Sequence, residues 1–272
     1  MDLNKNIEDF DLVFLDVETT GLDVVVGDAI CEIGACKVRA RETIDTFETL
    51  VNPKKSVPPE AYLIHKISDD DLKDAPYFEK IIDKLTSFLD NSVVCAYNAE
   101  FDIGFINHEA RRRDLSAIEL PVLDILCMAR KTLKVPRYRL EYIADFFNIG
   151  YQKSLHRALH DARVASEVFF KLRDILKEKK LDMLAEYISL FGVNNAVFKS
   201  KEEPKVDAIK EAITKGTIVK IRYFSYNNTM EEEEVRPLNF FQENKNFYLW
   251  CQNVKEQGFR ININRIFSIE IV

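Results

Sequence analysis

The sequence predicts an α/β protein: a mixed sheet covered by helices on both faces, followed by a small β-barrel. Three observations predict it. A meander of strand-like runs opens the chain, helical spacing then surrounds one further short apolar run, and strand runs return beyond about residue 204.

The opening strands are read at Leu12 to Val17, Ile30 to Arg39 and Thr43 to Val51. The second and third alternate partially and have short connections, which suits antiparallel pairing. From Pro58, "PPEAYLIHKISDDDLKDAPYFEKIIDKLTSFLD" reads as short helical pieces, with Ser68 as an N-cap, and then a longer helix from Tyr77 to Leu89. "SVVCAY" follows as a short buried strand. Phe101, Phe105, Ile106 and Ala110 give Ala99 to Arg113 a helical period, and similar spacing recurs at Asp124 to Leu133, Leu140 to Phe147 and Arg157 to Lys177.

A charged, helical connector spans 179–203: "KEKK" leads into it, a helix covers Leu181 to Phe191, and "KSKEEPK" closes it. The division predicted is therefore 1–178, 179–203 and 204–272. In the last unit a helix at Val206 to Thr214 precedes strand runs at Ile218 to Ser225, Val235 to Phe241, Phe247 to Cys251, Phe259 to Ile263 and Ile266 to Val272. Glutamates 231 to 234 read as a solvated hairpin.

With 272 residues, 47% of them hydrophobic, the chain can bury a sizeable core. No apolar run is long enough to span a bilayer, and "MDLNKNIEDF" is acidic and polar where a signal peptide is basic and then apolar, so a cytoplasmic protein without a membrane partner is expected. Five cysteines, an odd number without CxxC spacing, indicate reduced core thiols rather than disulfides or a zinc site. A net charge of -7, concentrated before Pro204, excludes a protein that coats nucleic acid through a basic surface. A strand end can still be held by bound cations and local Arg or Lys clusters.

The chemistry-bearing residues are carboxylates. Asp16 and Glu18 stand two apart at the end of a buried strand, so both reach one face. Burying two like charges is costly without a counter-charge, which a hard cation supplies. Asp102 opens a helix just after a buried strand, where open α/β sheets present functional side chains. "HRALHDA" adds His156 and Asp161. Five residues on a helix rotate by about 140°, so His156 is expected in the loop or first turn ahead of Asp161. Four carboxylates and a histidine are the inventory for two-metal phosphoryl chemistry. An isolated Asp-x-Glu is more commonly a solvated strand end; the ordered set is what argues otherwise.

"DVETTGLD", "YNAEFD" and "HRALHDA" resemble the three motifs of the DEDDh, or DnaQ-like, exonuclease family on a ribonuclease H-like fold, from about Asp11 to Leu176. The resemblance implies a 3′–5′ exonuclease acting in DNA repair or beside a DNA polymerase. It implies two Mg²⁺ or Mn²⁺ ions on Asp16, Glu18, Asp102 and Asp161, with His156 as general base. Single-stranded DNA or RNA 3′ ends would be the substrate, with DNA slightly ahead. "PEAYLIHKIS" is similar to the segment where a Glu and a His contact the nucleotide, which points to Glu60 and His65. Lys66 stands where the family commonly has glycine. Thr19, Thr20 and Leu22 match positions that hold the terminal nucleotide, and Phe105 matches an aromatic beside it.

"VRPL", "FYLW" and "RI" in order resemble a WYL domain, an Sm-like or SH3-like barrel, over Ile218 to Val272, with Phe247 in place of tryptophan. That implies nucleic-acid or nucleotide binding by Tyr248, Arg260 and Arg265. A second reading is therefore a regulatory sensor that uses the nuclease fold as a scaffold. His160 and His108 read as surface or packing residues. Arg111, Arg112 and Arg113 read as a helix end favoured by the helix dipole. "KTLKVPRYRL", Lys131 to Leu140, is basic, carries Tyr138, and reads as a strand-guiding surface.

Overall fold

A computed structural model describes every residue except 152–155, 194–207, 226–229, 244–245 and 272. The expected boundary near Glu203 and the "KSKEEPK" segment lie outside the described residues.

The first sheet is built around β1 (Leu12–Thr19). It pairs antiparallel with β2 (Ile30–Arg39) and parallel with β4 (Val93–Ala96); β3 (Glu42–Leu50) and β5 (Val122–Asp124) extend the two sides. The strand order is β3-β2-β1-β4-β5. Alternation along the strands assigns the two faces. Leu12, Phe14, Cys36, Val38, Val93 and Cys95 point into one layer, with α5 (Ile125–Thr132), α6 (Leu140–Phe146), α7 (Ala158–Glu178) and α8 (Leu184–Phe191). Val13, Leu15, Val17, Ile33, Ala35 and Val94 point into the other, against α3 (Ile82–Leu89) and α4 (Ala99–Arg111). Asp16 and Glu18 therefore face the α7 side.

Two short helices, α1 (Pro59–His65) and α2 (Asp69–Leu72), follow the third strand. Ser68 caps α2 in a reciprocal box with Asp71. Lys66, where the family pattern has glycine, takes a left-handed conformation (φ 60°, ψ 19°) and donates its N–H to the Tyr62 carbonyl. The turn is thus kept with a lysine in a conformation that favours glycine.

The single helix expected from Tyr77 to Leu89 is divided. Phe78–Lys80 forms a 3₁₀ turn and α3 begins only at Ile82. Residues three apart align on a 3₁₀ turn, so Phe78 and Ile81 both enter the core, at 2% and 5% exposure. The strand β5 is too short, at three residues, to show a period in the sequence; Asp124 at its end caps α5, accepting from the N–H groups of Leu126 (2.8 Å) and Cys127 (3.2 Å).

A helix over residues 208–215, α9, and five antiparallel strands make up the C-terminal part. These are β6 (Val219–Phe224), β7 (Met230–Glu243), β8 (Asn246–Asn253), β9 (Gly258–Asn262) and β10 (Ile266–Ile271), in the order β10-β6-β7-β8-β9. Among the described residues no pairing joins β10 to β9, so the structure shows an open antiparallel sheet. The glutamates read as a hairpin lie inside β7. Opposite them on β6 stand Lys220 and Arg222, and Lys220 Nζ reaches Glu232 at 2.6 Å; cross-strand opposite charges make the run compatible with a strand. All five cysteines are free. No described helix is long and apolar enough to cross a membrane.

The start of α7 packs closely on β2 at Gly34. A Cβ on Gly34 would fall within the backbone of Ala158 and Leu159, so a side chain there must push α7 off the sheet. Gly34→Ala is expected to cost roughly 1–3 kcal/mol, lowering the melting temperature by about 3–9 °C. Gly150→Ala, which meets nothing within 4 Å, should leave it nearly unchanged. Thermal melts of the two variants check this, and equal Tm values would show that α7 does not sit where described.

Candidate active site

The end of β1 has lost its neighbour on one side, because pairing with β4 stops at Phe14 and Cys95. The Val17 N–H therefore needs another acceptor. Asp102, in the first turn of α4, supplies it: Oδ1 accepts at 3.0 Å. Asn98, left-handed at φ 73°, starts α4, and the helix N-terminus favours a carboxylate in its first turn. From the opposite layer α7 presents Asp161, also in a first turn. Ligand oxygens of Asp16, Glu18 and Asp161 all lie within 4.8 Å of one another.

The start of α7 has no cap from its own chain neighbours. Glu32, opposite Glu18 on β2 and wholly buried, takes that role. Its carboxylate accepts the Ala158 N–H at 2.9 Å and pairs with Arg157 Nε at 2.9 and 3.0 Å. His156 thus lies just outside the helix, as the spacing of "HRALHDA" requires. Its Nδ1 is 3.5 Å from Asp161 Oδ2 and 3.2 Å from the Tyr151 hydroxyl, and its Nε2 is 4.0 Å from Glu141 Oε1. The His160 ring lies 5.5 Å from that of Tyr151, and its Nε2 is buried without a partner among the described residues.

Burial raises the pKa values of all four carboxylates, and crowding adds to it at Asp16 and Glu18. Burial, then Asp102 and Glu18, pushes Asp16 well above the carboxylate range. Burial, then Asp161 and Glu32, raises Glu18 to about 8. Burial likewise takes Asp102 to about 8 against the opposing Val17 N–H. Asp161 is raised by burial and pulled back by His156 and Tyr151. Its Oδ1 is buried with no hydrogen-bond partner among the described residues. An all-oxygen set with an orphaned carboxylate oxygen and unfavourable proton-free charge fits hard divalent cations.

The other expected contacts are distributed around this cluster. Thr19 and Thr20 are buried; Thr20 Oγ1 accepts from the Ala29 N–H (3.0 Å) and donates to Asp28 (3.3 Å). Leu22 is 83% exposed on the adjoining loop. Glu60 is exposed at the start of α1, whereas His65 is buried, with Nδ1 accepting from the Ile67 N–H at 3.0 Å and burial lowering its pKa. Phe105 is packed in the core against Phe101, whose ring is 4.8 Å away and half-buried. Tyr248 and Arg260 meet on the C-terminal sheet, with the guanidinium 5.0 Å from the ring centroid. Arg265 is apart from them, donating to the Ser225 carbonyl at 2.7 Å.

The sequence motifs alone do not single out Glu32, Arg157, Tyr151 or Glu141, which the structure places around the cluster. A charge at an inward position of the buried run "ICEIGACKV" was the available signal for Glu32; Tyr151 and Glu141 had none. Arg113 is occupied internally by Glu79 (2.9 Å) and Glu109. Lys131 donates to the Leu190 carbonyl at 2.5 Å, tying α5 to α8.

The family model described as RNase_T, exonuclease, matches residues 13–169, and that of the WYL domain matches 204–271. The DNA polymerase III subunit epsilon of Rickettsia conorii is 40% identical over 166 residues, which cover 59% of this chain and 72% of that protein. The PolC-type DNA polymerase III of Caldanaerobacter subterraneus subsp. tengcongensis is 35% identical over 181 residues, 66% of this chain; the chain spans only 13% of that relative. Among solved structures, the nuclease domain of 3′hExo, a DEDDh family member bound to rAMP, superposes with a TM-score of 0.57 at 16% identity, covering 66% of this chain and 98% of that one.

The raised carboxylates set the pH dependence of the metal-free protein. Glu18 and Asp102 hold protons more tightly folded than unfolded, so their contribution to stability is full below about pH 4 and is lost as pH rises through about 8. In chelator, the melting temperature should fall between pH 5 and 8, and Mg²⁺ or Mn²⁺ should raise it more at pH 8 than at pH 5.5. A flat or rising profile in chelator would contradict the buried cluster.

Proposed function

The chain belongs to the RNase_T exonuclease family, as a 3′–5′ exonuclease of the DEDDh, DnaQ-like type; from that premise we propose that it hydrolyses the 3′-terminal phosphodiester of single-stranded DNA and releases nucleoside 5′-monophosphates. The observation that carries this is the convergence of Asp16, Glu18, Asp102 and Asp161 on one strand end with His156 at its rim.

In this reading the four carboxylates hold two divalent ions, Mg²⁺ or Mn²⁺. Bound there, the ions supply the counter-charge the carboxylates need, acidify water and neutralise charge on the phosphate. His156 takes the proton from the attacking water. Tyr151 and Asp161 hold its Nδ1, which leaves Nε2 to accept, and Glu141 stands 4.0 Å beyond to stabilise the imidazolium. Glu32 and Arg157 fix where α7 begins, and so the position of both His156 and Asp161. Thr19, Thr20, Leu22, Glu60, His65 and Phe105 would surround the terminal nucleotide.

DNA is favoured because the relatives are DNA polymerase III subunits; the neighbour bound to rAMP makes RNA the alternative. A DNA polymerase or repair complex is the proposed setting, in the cytoplasm. We assign residues 1–178 to the nuclease, 179–203 to a connector and 204–272 to a WYL-like unit curled as a small barrel. There Phe241 stacks on Tyr248 with centroids 5.7 Å apart and Arg260 lies over the same ring, a surface suited to a base and its phosphate. The same surface favours the second reading, a nucleotide-sensing regulator.

Matched 5′-labelled DNA and RNA oligomers, incubated with Mg²⁺, Mn²⁺ or chelator, test the proposal. A metal-dependent ladder shortening from the 3′ end is expected for wild type and none for Asp16→Ala; no ladder on either polymer would favour the sensor. His156→Ala should lose about 10²–10⁴-fold in rate, the range for a general base. His160→Ala should lose less than about tenfold on the same scale, and comparable losses would mean that the base is misassigned.

A further inference from the structure

Beside the carboxylate cluster, at the C-terminal ends of β4 and β5, lies a cleft of about 480 Å³. Its lining includes Tyr97, Asn98, Arg130, Arg137, Tyr138 and Arg139. We infer that this cleft binds the single strand on the 5′ side of the scissile bond, through phosphate contacts from Arg137 and Arg139 and stacking on the tyrosines. The inference rests on the exonuclease reading for its substrate.

Position is the first argument. Asn98 starts α4 one turn before Asp102, about 6 Å of helix rise. On the other side Arg139 stands at the N-terminal boundary of α6, two residues before Glu141, whose carboxylate is 4.0 Å from His156. The cleft therefore borders the reacting end on both flanks. β1, β4 and β5 run parallel in this sheet, so the cleft and the carboxylates share one sheet end.

Charge is the second argument. Arg137 and Arg139 are exposed, and neither pairs with a carboxylate among the described residues. The nearby carboxylates are already engaged: Asp124 caps α5 and accepts from the Asn98 N–H at 3.3 Å, and Glu141 faces His156. A helix-dipole role explains an arginine in the last turn of α5, as Arg130 is. It does not explain two arginines in the loop ahead of α6.

Rigidity is the third. The Tyr97 hydroxyl donates to the Tyr138 carbonyl at 2.7 Å, and the Tyr138 hydroxyl donates to the Leu133 carbonyl at 3.0 Å. With Pro136 between them, the loop is held in one shape before any strand arrives, which limits the ordering cost of binding. Guanidinium groups with flanking aromatics are the chemistry that holds a nucleic-acid backbone without reading its sequence.

The test compares Arg137→Ala/Arg139→Ala with the parent in the full chain. Affinity is measured in an Asp16→Ala background with fluorescein-labelled (dT)₁₂, and turnover in the active background with (dT)₁₂ and with the p-nitrophenyl ester of thymidine 5′-monophosphate, which has no 5′ strand. Loss of affinity for (dT)₁₂ of about tenfold or more is expected, with the salt dependence flattened by about 1.4 in the log–log slope for two lost contacts. The rise in KM on (dT)₁₂ should exceed any change on the ester by about tenfold, with kcat little altered. Arg137→Glu alone, at an exposed position, should weaken (dT)₁₂ binding further than Arg137→Lys. Equal losses on both substrates, or unchanged (dT)₁₂ affinity, would overturn the inference, the latter also being the result if the cleft docks an acidic protein. Absence of turnover on either substrate by the parent would count against the exonuclease reading, while the affinities would still decide the cleft.

Discussion

The start of α7 is held by a contact between elements far apart in sequence: the Ala158 N–H on the buried carboxylate of Glu32. Directly beside it, Gly34 leaves β2 without a side chain where the helix backbone arrives. One residue supplies the acceptor that an uncapped helix lacks, and the other supplies room. His156 precedes this point by two residues and Asp161 follows it by three, so both are placed by the same junction. Since Gly34 pairs with Asp16 and Glu32 with Glu18, the strand positions that dock the helix are the partners of those that present the other two carboxylates. Assembly of the site is therefore a consequence of strand register, and a one-residue slip would turn the whole set to the wrong face.

That placement sets stability against function. The core on either side of the sheet is ordinary apolar packing, but the strand end concentrates charges that repel one another and are held away from water. Asp16, Glu18, Asp102 and Asp161 all hold protons more tightly than free carboxylates. Several groups oppose this in part, among them the Val17 N–H at Asp102, His156, Tyr151 and His160 at Asp161, and Arg157 at Glu18. Arg157 is near, yet it is committed to Glu32. The strand end thus retains an unmet demand for positive charge, which divalent cations would meet in the proposed reading.

The layered α/β architecture was legible because long periodic segments report it directly: β1 to β4 and α4 to α7 lie close to their expected spans. The convergence of Asp16, Glu18, Asp102, His156 and Asp161 was legible because motif order and spacing carry it. What escaped did so for physical reasons. Glu32 acts across more than a hundred residues, and such a contact leaves no local pattern. Three residues of β5 carry no period, and the division at Ile81 answers to the burial of Phe78, a tertiary demand. The run of glutamates reads as solvated by composition, but Lys220 and Arg222 across the ladder make it a strand. Lys131 belongs to a basic stretch in the sequence, yet it turns inward to Leu190, so a basic run divides into structural and surface charges only when the fold is known.

An acidic chain that acts on a polyanion needs its attraction to be local. With a net charge of -7, the far field repels a nucleic-acid strand, and at physiological salt that repulsion is screened beyond about 8 Å. Within that range the balance is decided by which charges are already paired. Arg39, Arg41 and Arg113 are tied to Asp11, Asp174 and Glu79, so they add little to an external field. Arg137 and Arg139 are not so tied among the described residues, and they lie at the same sheet end as the carboxylate cluster. In the proposed reading, unpaired positive charge at that end of the sheet would draw a strand end toward the carboxylates despite the net negative charge of the chain.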